Sequence, residues 1–496
     1  MPSFQSALKS LPAKSSALPA ILTLTIALLA SGCGGSSGSS SGTTTTPPTP
    51  APSTANEWTW ESGSSSTNAA GIYGTLGTAS TANVPSARDS SVSWIDASGN
   101  LWLFGGETPS TQVNISEVLV NDLWEYNPTA KTWAWVSGSS TVPNGVAGQA
   151  GVYGMLGTAS TSNVPGGRDG SVSWTDSSGD LWLFGGYGVD STGAGGYLND
   201  LWVYNTTAKT WTWVSGSNKV NADGVYGTLG TASASNVPGS RSFAVSWTDS
   251  SGNFWLFGGS TGTVTGIELN DLWEFNPAAK TWTWVSGSNS GNAKGIYGTL
   301  GIASASNVPG GRDDASAWID GSDNLWLFGG AGLDSNGTSR LLNDLWEFNS
   351  TAKTWTWVSG SNVGNAAGTY GTLGTDSASN SPGARNGSVS WTDSAGNLWL
   401  FGGDGFDSTG TGGGIGTSLN DLWKFSPTAK AWTWVSGSNL ENAVGTYGTL
   451  GTASASNVPG SRYSGVSWSD SSGNFWLFGG QTGYSGNLND LWRYQP

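Results

Sequence analysis

The stretch Asn253-Phe-Trp-Leu-Phe-Gly-Gly259, followed by Asn270-Asp-Leu-Trp-Glu-Phe-Asn276 and Thr281-Trp-Thr-Trp-Val-Ser286, decides the fold. Each run is rich in aromatic and β-branched side chains and bounded by turn residues, which is the composition of a short strand. Arg241-Ser-Phe-Ala-Val-Ser-Trp-Thr, just upstream, reads as a fourth strand. Asp249-Ser-Ser-Gly joins the first strand to the second, and Asn276-Pro-Ala-Ala-Lys joins the third to the fourth, with Pro where a type I turn takes it. The unit is therefore a four-stranded antiparallel meander.

It recurs along the chain. Asn-Asp-Leu-Trp begins at 121, 199, 270, 343, 420 and 489, and a Gly-Gly doublet follows Leu-Phe at 105, 185, 258, 329, 402 and 479. Trp-x-Trp occurs at 58, 133, 211, 282, 355 and 432, so it stands once before the first doublet and is missing after the last Asn-Asp-Leu-Trp. The doublet, Asn-Asp-Leu-Trp and the Trp of strand four together resemble the kelch motif over residues 57 to 496. The resemblance implies an all-β fold, a six-bladed kelch-type β-propeller with four antiparallel strands per blade. Glu57-Trp58-Thr59-Trp60-Glu61 is then expected to supply the outermost strand of the blade whose first three strands end at Arg493-Tyr494. The repeat is longer than the roughly 50 residues of an ordinary kelch unit, and the excess lies between strands four and one, as in Gly224-Val-Tyr-Gly-Thr-Leu-Gly-Thr. Site knowledge from the family transfers poorly for that reason.

Strand alternation puts the tight turns on one face and the two-to-three and four-to-one connections on the other. The two-to-three loops run 14, 12, 10, 12, 16 and 8 residues and differ widely in sequence. The four-to-one segment, measured from the second Trp of strand four to the Arg, is 28 in five copies and 33 before Arg168. Constant length implies a structural part, and variable length a surface free to specialise. A ligand is expected at the variable loops, notably residues 187 to 198, 331 to 342 and 404 to 419.

The first 56 residues carry an address. Lys9 and Lys14 precede an apolar run from Ala20 to Ala30, too short to span a membrane, which takes roughly 20 residues. Leu29-Ala30-Ser31-Gly32-Cys33 resembles the bacterial lipobox, with Ala30 where Leu is commoner. That resemblance implies a lipoprotein signal peptide over 1–32 and lipidation of Cys33, the one cysteine of the chain. Gly34 stands where Asp would signal inner-membrane retention, so an outer-membrane lipoprotein is expected, periplasmic or surface-exposed. Residues 33–56 pair that Cys with a Gly/Ser/Thr/Pro tether, and 57–496 form the propeller. Loss of the two lysines takes the net charge from −15 to −17. Such an anionic chain does not suit nucleic acid, and membrane contact is expected through the lipid only, for a monomer.

The chain has 30 Trp and no His. Missing His excludes Ser-His-Asp and Cys-His catalysis and the copper site of galactose-oxidase-like kelch enzymes. The tryptophans fall five to a unit, which marks them as packing between sheets, with each indole N–H expected on a backbone partner. Tyr187, Tyr197, Phe406 and Tyr484 lie in the variable loops and are the stacking candidates. Arg88, Arg168, Arg241, Arg312, Arg385 and Arg462 each open an innermost strand, where they either ring the axis as an anion site or tie down their own four-to-one segments. Asp89, Asp169 and Asp313, with Asp314, follow the Arg in three units only and are the acids expected near the channel mouth, free or paired with those arginines. No catalytic residue is assigned, and no cofactor or metal is expected. Asp190-Ser-Thr-Gly, Asp334-Ser-Asn-Gly and Asp404-Gly-Phe-Asp407 are the places where oxygen ligands for Ca²⁺ would come from. The leading reading is a lipid-anchored binding or scaffold module for a glycan or a protein. Alternatives are an enzyme acting on an acidic sugar, sialidase- or epimerase-like, at the Arg/Asp mouth, and a purely structural surface protein.

Overall fold

The computed structural model describes residues 55–496 apart from 113–114, 263–265, 415 and 484–485. The signal segment, Cys33 and most of the tether lie outside the described residues, as does Tyr484. The fold is all-β, with no helix among the described residues. It is a β-propeller assembled from four-stranded antiparallel meanders. The first consists of Val92–Ile95, Leu101–Phe104, Leu123–Asn127 and Thr132–Ser137, paired in that order. The same order recurs with Val172–Thr175, Val245–Thr248, Ser316–Ile319 and Val389–Thr392 as inner strands. In the last meander Val466–Ser469, Phe475–Phe478 and Leu491–Gln495 are completed by Glu57–Ser62 from the start of the domain. Trp58 faces Tyr494 and Trp60 faces Trp492 in that register.

Cores lie between adjacent sheets. Val92, Trp94, Trp102 and Phe104 of the first sheet pack on Leu181, Leu183, Trp202 and Trp211 of the second. The innermost Trp of each sheet reaches across this boundary: Trp94 Nε1 donates to Trp182 O at 2.8 Å, and Trp468 Nε1 to Trp102 O at 3.2 Å. Trp135 bonds a carbonyl of its own strand end, while Trp102 and Trp124 donate to the carboxylates of Asp96 and Asp122. The expectation of a backbone partner for every indole needs correcting at three of the five positions, two of which bond carboxylates instead. Nε1 of Trp58, Trp133, Trp211, Trp282, Trp355 and Trp432 has none. Trp133 is enclosed by rings, with Tyr126 at 4.9 Å and Phe478 at 5.6 Å, so aromatic contacts occupy the space a carbonyl would need.

The Gly-Gly doublet serves the sheet boundary. Gly106 N donates to Arg168 O of the next sheet at 2.8 Å, and a Cβ on Gly105 would lie 2.7 Å from that same oxygen. Both glycines have positive φ, +68° and +95°, so a side chain is excluded by backbone conformation and by space.

The long four-to-one segments cover the outer edge of the sheet they lead into. Gly77 N donates to Trp135 O at 2.7 Å, and Asn83 Nδ2 to Trp133 O at 3.1 Å, along the free side of strand four. An unpaired edge strand is a template for aggregation, and this strap removes it. Its constant length follows from the fixed distance between outer edge and inner strand.

Candidate functional site

Each Arg that opens an inner strand is buried and fully engaged. Arg168 Nη1 and Nη2 bond Asp200 Oδ1 and Oδ2, both at 2.8 Å, while Nε and Nη1 also reach the carbonyls of Gly166 and Gly185 at 3.0 Å. Asp200 further accepts the Tyr153 hydroxyl at 2.6 Å and Trp202 Nε1 at 2.7 Å. The same pairing joins Arg88 to Asp122, Arg241 to Asp271, Arg312 to Asp344, Arg385 to Asp421 and Arg462 to Asp490. Burial alone would raise the Asp122 carboxyl; the Arg88 charge and hydrogen bonds from Arg88, Trp124 and Tyr73 overcome it and hold the group below the usual range. The arginine side chains are at most 1% exposed. This corrects the picture of an open guanidinium ring: the Asp of Asn-Asp-Leu-Trp, placed by strand three, takes the charge that an anion would have needed. It also corrects the suggestion that Asp89, Asp169 or Asp313 pairs with these arginines.

The residues just after the arginines form the mouth of the channel. Ser90 N donates to Ser464 O, Ser464 N to Gly387 O, Gly387 N to Asp314 O, Asp314 N to Phe243 O, Phe243 N to Gly170 O, and Gly170 N back to Ser90 O, at 2.6 to 2.9 Å. All six adopt left-handed backbone, φ +50° to +64°, so the chain turns sharply at each and aims its amide along the belt. Beneath it the inner strands line a channel of about 230 Å³ walled by Ser93, Ser173, Ser246, Ser390 and Ser467 among small neighbours.

Above the belt, each residue after the Arg pairs with the residue after the Gly-Gly doublet. The pairs are Asp89 with Glu107, Asp169 with Tyr187, Ser242 with Ser260, Asp313 with Ala331, Asn386 with Asp404, and Tyr463 with Gln481. Carboxyl groups crowd this level. Burial, with the charges of Asp169, Glu117 and Asp314, pushes Asp89 up to about 7. Burial and the nearby Glu107 and Glu117 push Asp169 up to about 8, and burial with Glu117 and Asp89 raises Glu107 to about 8. Burial and Asp313 take Glu268 to about 8, while burial with Asp313 and Asp404 takes Asp314 to about 7. No Lys or Arg contributes to any of these shifts. Asp169 Oδ1, Glu268 Oε2 and Asn386 Oδ1 are buried without a hydrogen-bond partner.

Aromatic rings border the acids. Tyr187 and Tyr197 face each other across a hairpin with ring centroids 5.4 Å apart, and Tyr187 is 41% exposed. Tyr197 lies within electrostatic reach of Asp313 and Glu268. The Phe243 ring lies over Gly170, whose missing Cβ leaves room for it. Phe406, by contrast, is half-buried in its own loop with its ring against Gly413. The three suggested Ca²⁺ loops use their acids as internal staples. Asp190 Oδ1 accepts the amides of Thr192 and Ala194, Asp334 Oδ1 those of Asn336 and Thr338, and Asp407 Oδ1 those of Thr409 and Thr411. No group of three or more potential metal-ligating side chains occurs among the described residues.

Glu107, Glu117, Glu268 and Phe243 belong to the mouth and were missed in the sequence. For Glu107 the position directly after the doublet was the available signal, because its pairing with the residue after the Arg follows from hairpin register.

No family model matches the chain, and no curated protein matches it. Among solved structures, one described as "Structure of YjhT" superposes with a TM-score of 0.48 at 15% identity, covering 82% of this chain and 95% of that one. A likeness at that level carries no argument about function.

Proposed function

We propose that residues 57–496 are a closed six-bladed kelch-type propeller, held at the bacterial outer membrane by a lipid on Cys33, and that its variable-loop face binds a glycan. The six-blade reading draws support from hydrogen bonds that cross every sheet boundary in turn and return to the first: the belt, the doublet-to-Arg contacts and the inner Trp contacts. Completion of the last sheet by Glu57–Ser62 is the matching feature at the chain ends.

One observation carries the glycan reading. The exposed Tyr187, with the half-buried Tyr197 against it, stands beside carboxyl groups on the face where loop lengths vary. Aromatic faces stack on the apolar faces of sugars, and carboxyls bond their hydroxyls, the usual division of labour in a small-molecule site. Action on an acidic sugar finds less support, since the arginines are occupied and the mouth is lined by acids. The test is a glycan array with the detergent-solubilised full chain, wild type against Tyr187→Ala/Tyr197→Ala. Binding to a defined set of glycans, lost in the double variant at unchanged melting temperature, is expected. Binding that survives the double variant, or retention of polypeptides only, refutes the reading.

A further inference from the structure

We propose that two slots between strap and two-to-three loop, one in the third sheet (inner strand Val245–Thr248) and one in the last (inner strand Val466–Ser469), bind a peptide turn from a partner protein. The turn has an apolar residue followed by Asp-Ser-X-Gly. This goes beyond the glycan reading and does not depend on it.

Three sister sheets show what fits such a slot. In the second, fourth and fifth sheets the two-to-three loop carries Gly188-Val-Asp190, Gly332-Leu-Asp334 or Gly405-Phe-Asp407, each continued by Ser-X-Gly. This loop folds back onto the strap that leads to the Arg. Val189 N donates to Gly167 O at 2.9 Å, and Gly151 N to Asp190 O at 3.3 Å. Leu333 N with Gly311 O and Gly295 N with Asp334 O repeat the pattern, as do Phe406 N with Ala384 O and Gly368 N with Asp407 O. From the next strap, Val220 N reaches Asp190 Oδ2 at 3.3 Å and Gly364 N reaches Asp334 Oδ2 at 3.4 Å. The seat is tight, since a Cβ on Gly166, Gly310 or Gly383 would fall 1.9 Å from the carbonyl of Val189, Leu333 or Phe406.

In the third and last sheets the loop stays out of this seat. Thr261 and Thr482 stand where Gly188 does, and a Cβ on Gly188 would lie 2.6 Å from Arg168 Cβ, so a threonine excludes the folded-back path. Grooves of about 410 Å³ and 610 Å³ open there instead. They are lined by Gly224 and Ser240 in the third sheet and by Gly445 and Ser461 in the last, the counterparts of Gly151 and Gly167. Among the described residues the amides of Gly224 and Gly445 have no acceptor, and the carbonyls of Ser240 and Ser461 no donor. Tyr226 and Tyr447 are half-buried, whereas Tyr153, Tyr297 and Tyr370 beneath the folded loops are 4% to 5% exposed. A backbone donor and acceptor left free side by side are what an added extended segment satisfies. Gly291, at the place of Val220, lines the third-sheet groove and brings an amide for the Asp carboxylate. Asp223 on that rim repels the carboxylate, while the last groove has Val444 in its place, 92% exposed, so the last slot is the tighter one. The first sheet offers no such slot: Pro109 stands where Val189 does and has no N–H, and the Thr108 hydroxyl takes Ala87 O at 2.8 Å.

Calorimetry with the detergent-solubilised full chain tests this. The probe is the acetylated and amidated peptide Tyr-Gly-Val-Asp-Ser-Thr-Gly-Ala, the sequence of residues 187–194. Two peptides are expected to bind per chain, the tighter with a dissociation constant below about 1 mM. The Asp190→Ala form of the peptide should bind at least about tenfold more weakly, and a scrambled peptide not at all. Grafting residues 187–198 in place of 260–269 fills the third-sheet slot with its own loop, so one peptide should then bind, with a melting curve to show that the graft is folded. Absence of binding at millimolar peptide, or equal binding of the Asp190→Ala or scrambled peptide, overturns the proposal. Two peptides still bound by the folded graft overturn it as well. The peptide forms leave the protein untouched, so they decide the matter even where the graft does not fold.

Discussion

Arg168 and Asp200 form a doubly hydrogen-bonded ion pair, Nη1–Oδ1 and Nη2–Oδ2 both at 2.8 Å, with side-chain exposures of 1% and 0%. They lie 32 residues apart in the chain, one in the short strand Arg168–Asp169 just ahead of the inner strand and the other within strand three, Gly195–Asn205. The pair ties the entry of a sheet to its middle, and Tyr153 from the strap bonds the same carboxylate.

Breaking this pair on one side leaves a buried charge uncompensated. Asp200→Ala is expected to destabilise the domain by about 3–5 kcal/mol, read as a large drop in melting temperature. Asp190→Ala serves as the comparison, since its carboxylate bonds amides of its own two-to-three loop and faces no buried cation, and it should cost less. Equal effects of the two substitutions would show that the Arg168 pair contributes no more than a loop staple.

The carboxyls of the mouth set an unusual pH dependence. Asp89, Asp169, Glu107, Glu268 and Asp314 are raised to between about 7 and about 8 in the folded protein, against about 4 in an unfolded chain. The folded state therefore holds protons that the unfolded state has released. Their contribution to stability is complete below about pH 4 and is lost as pH rises through 7 and 8. The Asp122 and Asp271 carboxyls are lowered and act oppositely, losing their contribution only in strong acid. Melting temperature is expected to fall between pH 5.5 and 8.5, and the fall should be shallower in Asp169→Asn. A melting temperature that rises over that interval contradicts the crowding described here.

The N-terminal strand is expected to be essential although it lies far from the mouth. Trp58 is 2% exposed and packs on Tyr494 at 4.9 Å and Phe401 at 5.5 Å. Trp58→Ala should cost about 3–5 kcal/mol. Because Asn56 N donates to Gln495 O, a circular permutant that joins these ends and opens at a tight turn such as 250–251 should fold. A permutant that aggregates while the linear chain does not would weigh against closure through this strand.

Lipidation makes the simplest prediction. Cells expressing the full chain should incorporate labelled palmitate into it and retain it in the membrane fraction. Cys33→Ser should abolish labelling and release the protein. Labelling that persists in the variant would rule out Cys33 as the lipid site.

How far the fold was legible follows from how local its signals are. Strand, turn and repeat boundaries depend on alternation, β-branched and aromatic residues, and Gly, Asn or Pro at chain reversals, all within a few neighbours. The same counting set Glu57-Trp-Thr-Trp-Glu61 against the final sheet, where Glu57–Ser62 is found. Framework tryptophans declared themselves by recurring at every unit. Partnerships were less accessible. Twelve repeated acids looked alike as local turn and strand-start residues, yet Asp96 caps its turn while Asp122 neutralises Arg88. Nothing in the neighbourhood of Asp122 distinguishes those roles, because its partner arrives from another strand.

By itself, then, the sequence determined the meanders, their repetition and the face on which variation collects, since these rest on short-range backbone preference and hairpin register. Only the tertiary structure decided where charge resides. Folding turned the arginines inward onto Asp122, Asp200 and their equivalents and left Asp89, Glu107, Asp169 and Asp314 together around the belt. Electrostatics depends on distance through space and on burial, and neither quantity exists until sheets far apart in the chain meet at one axis.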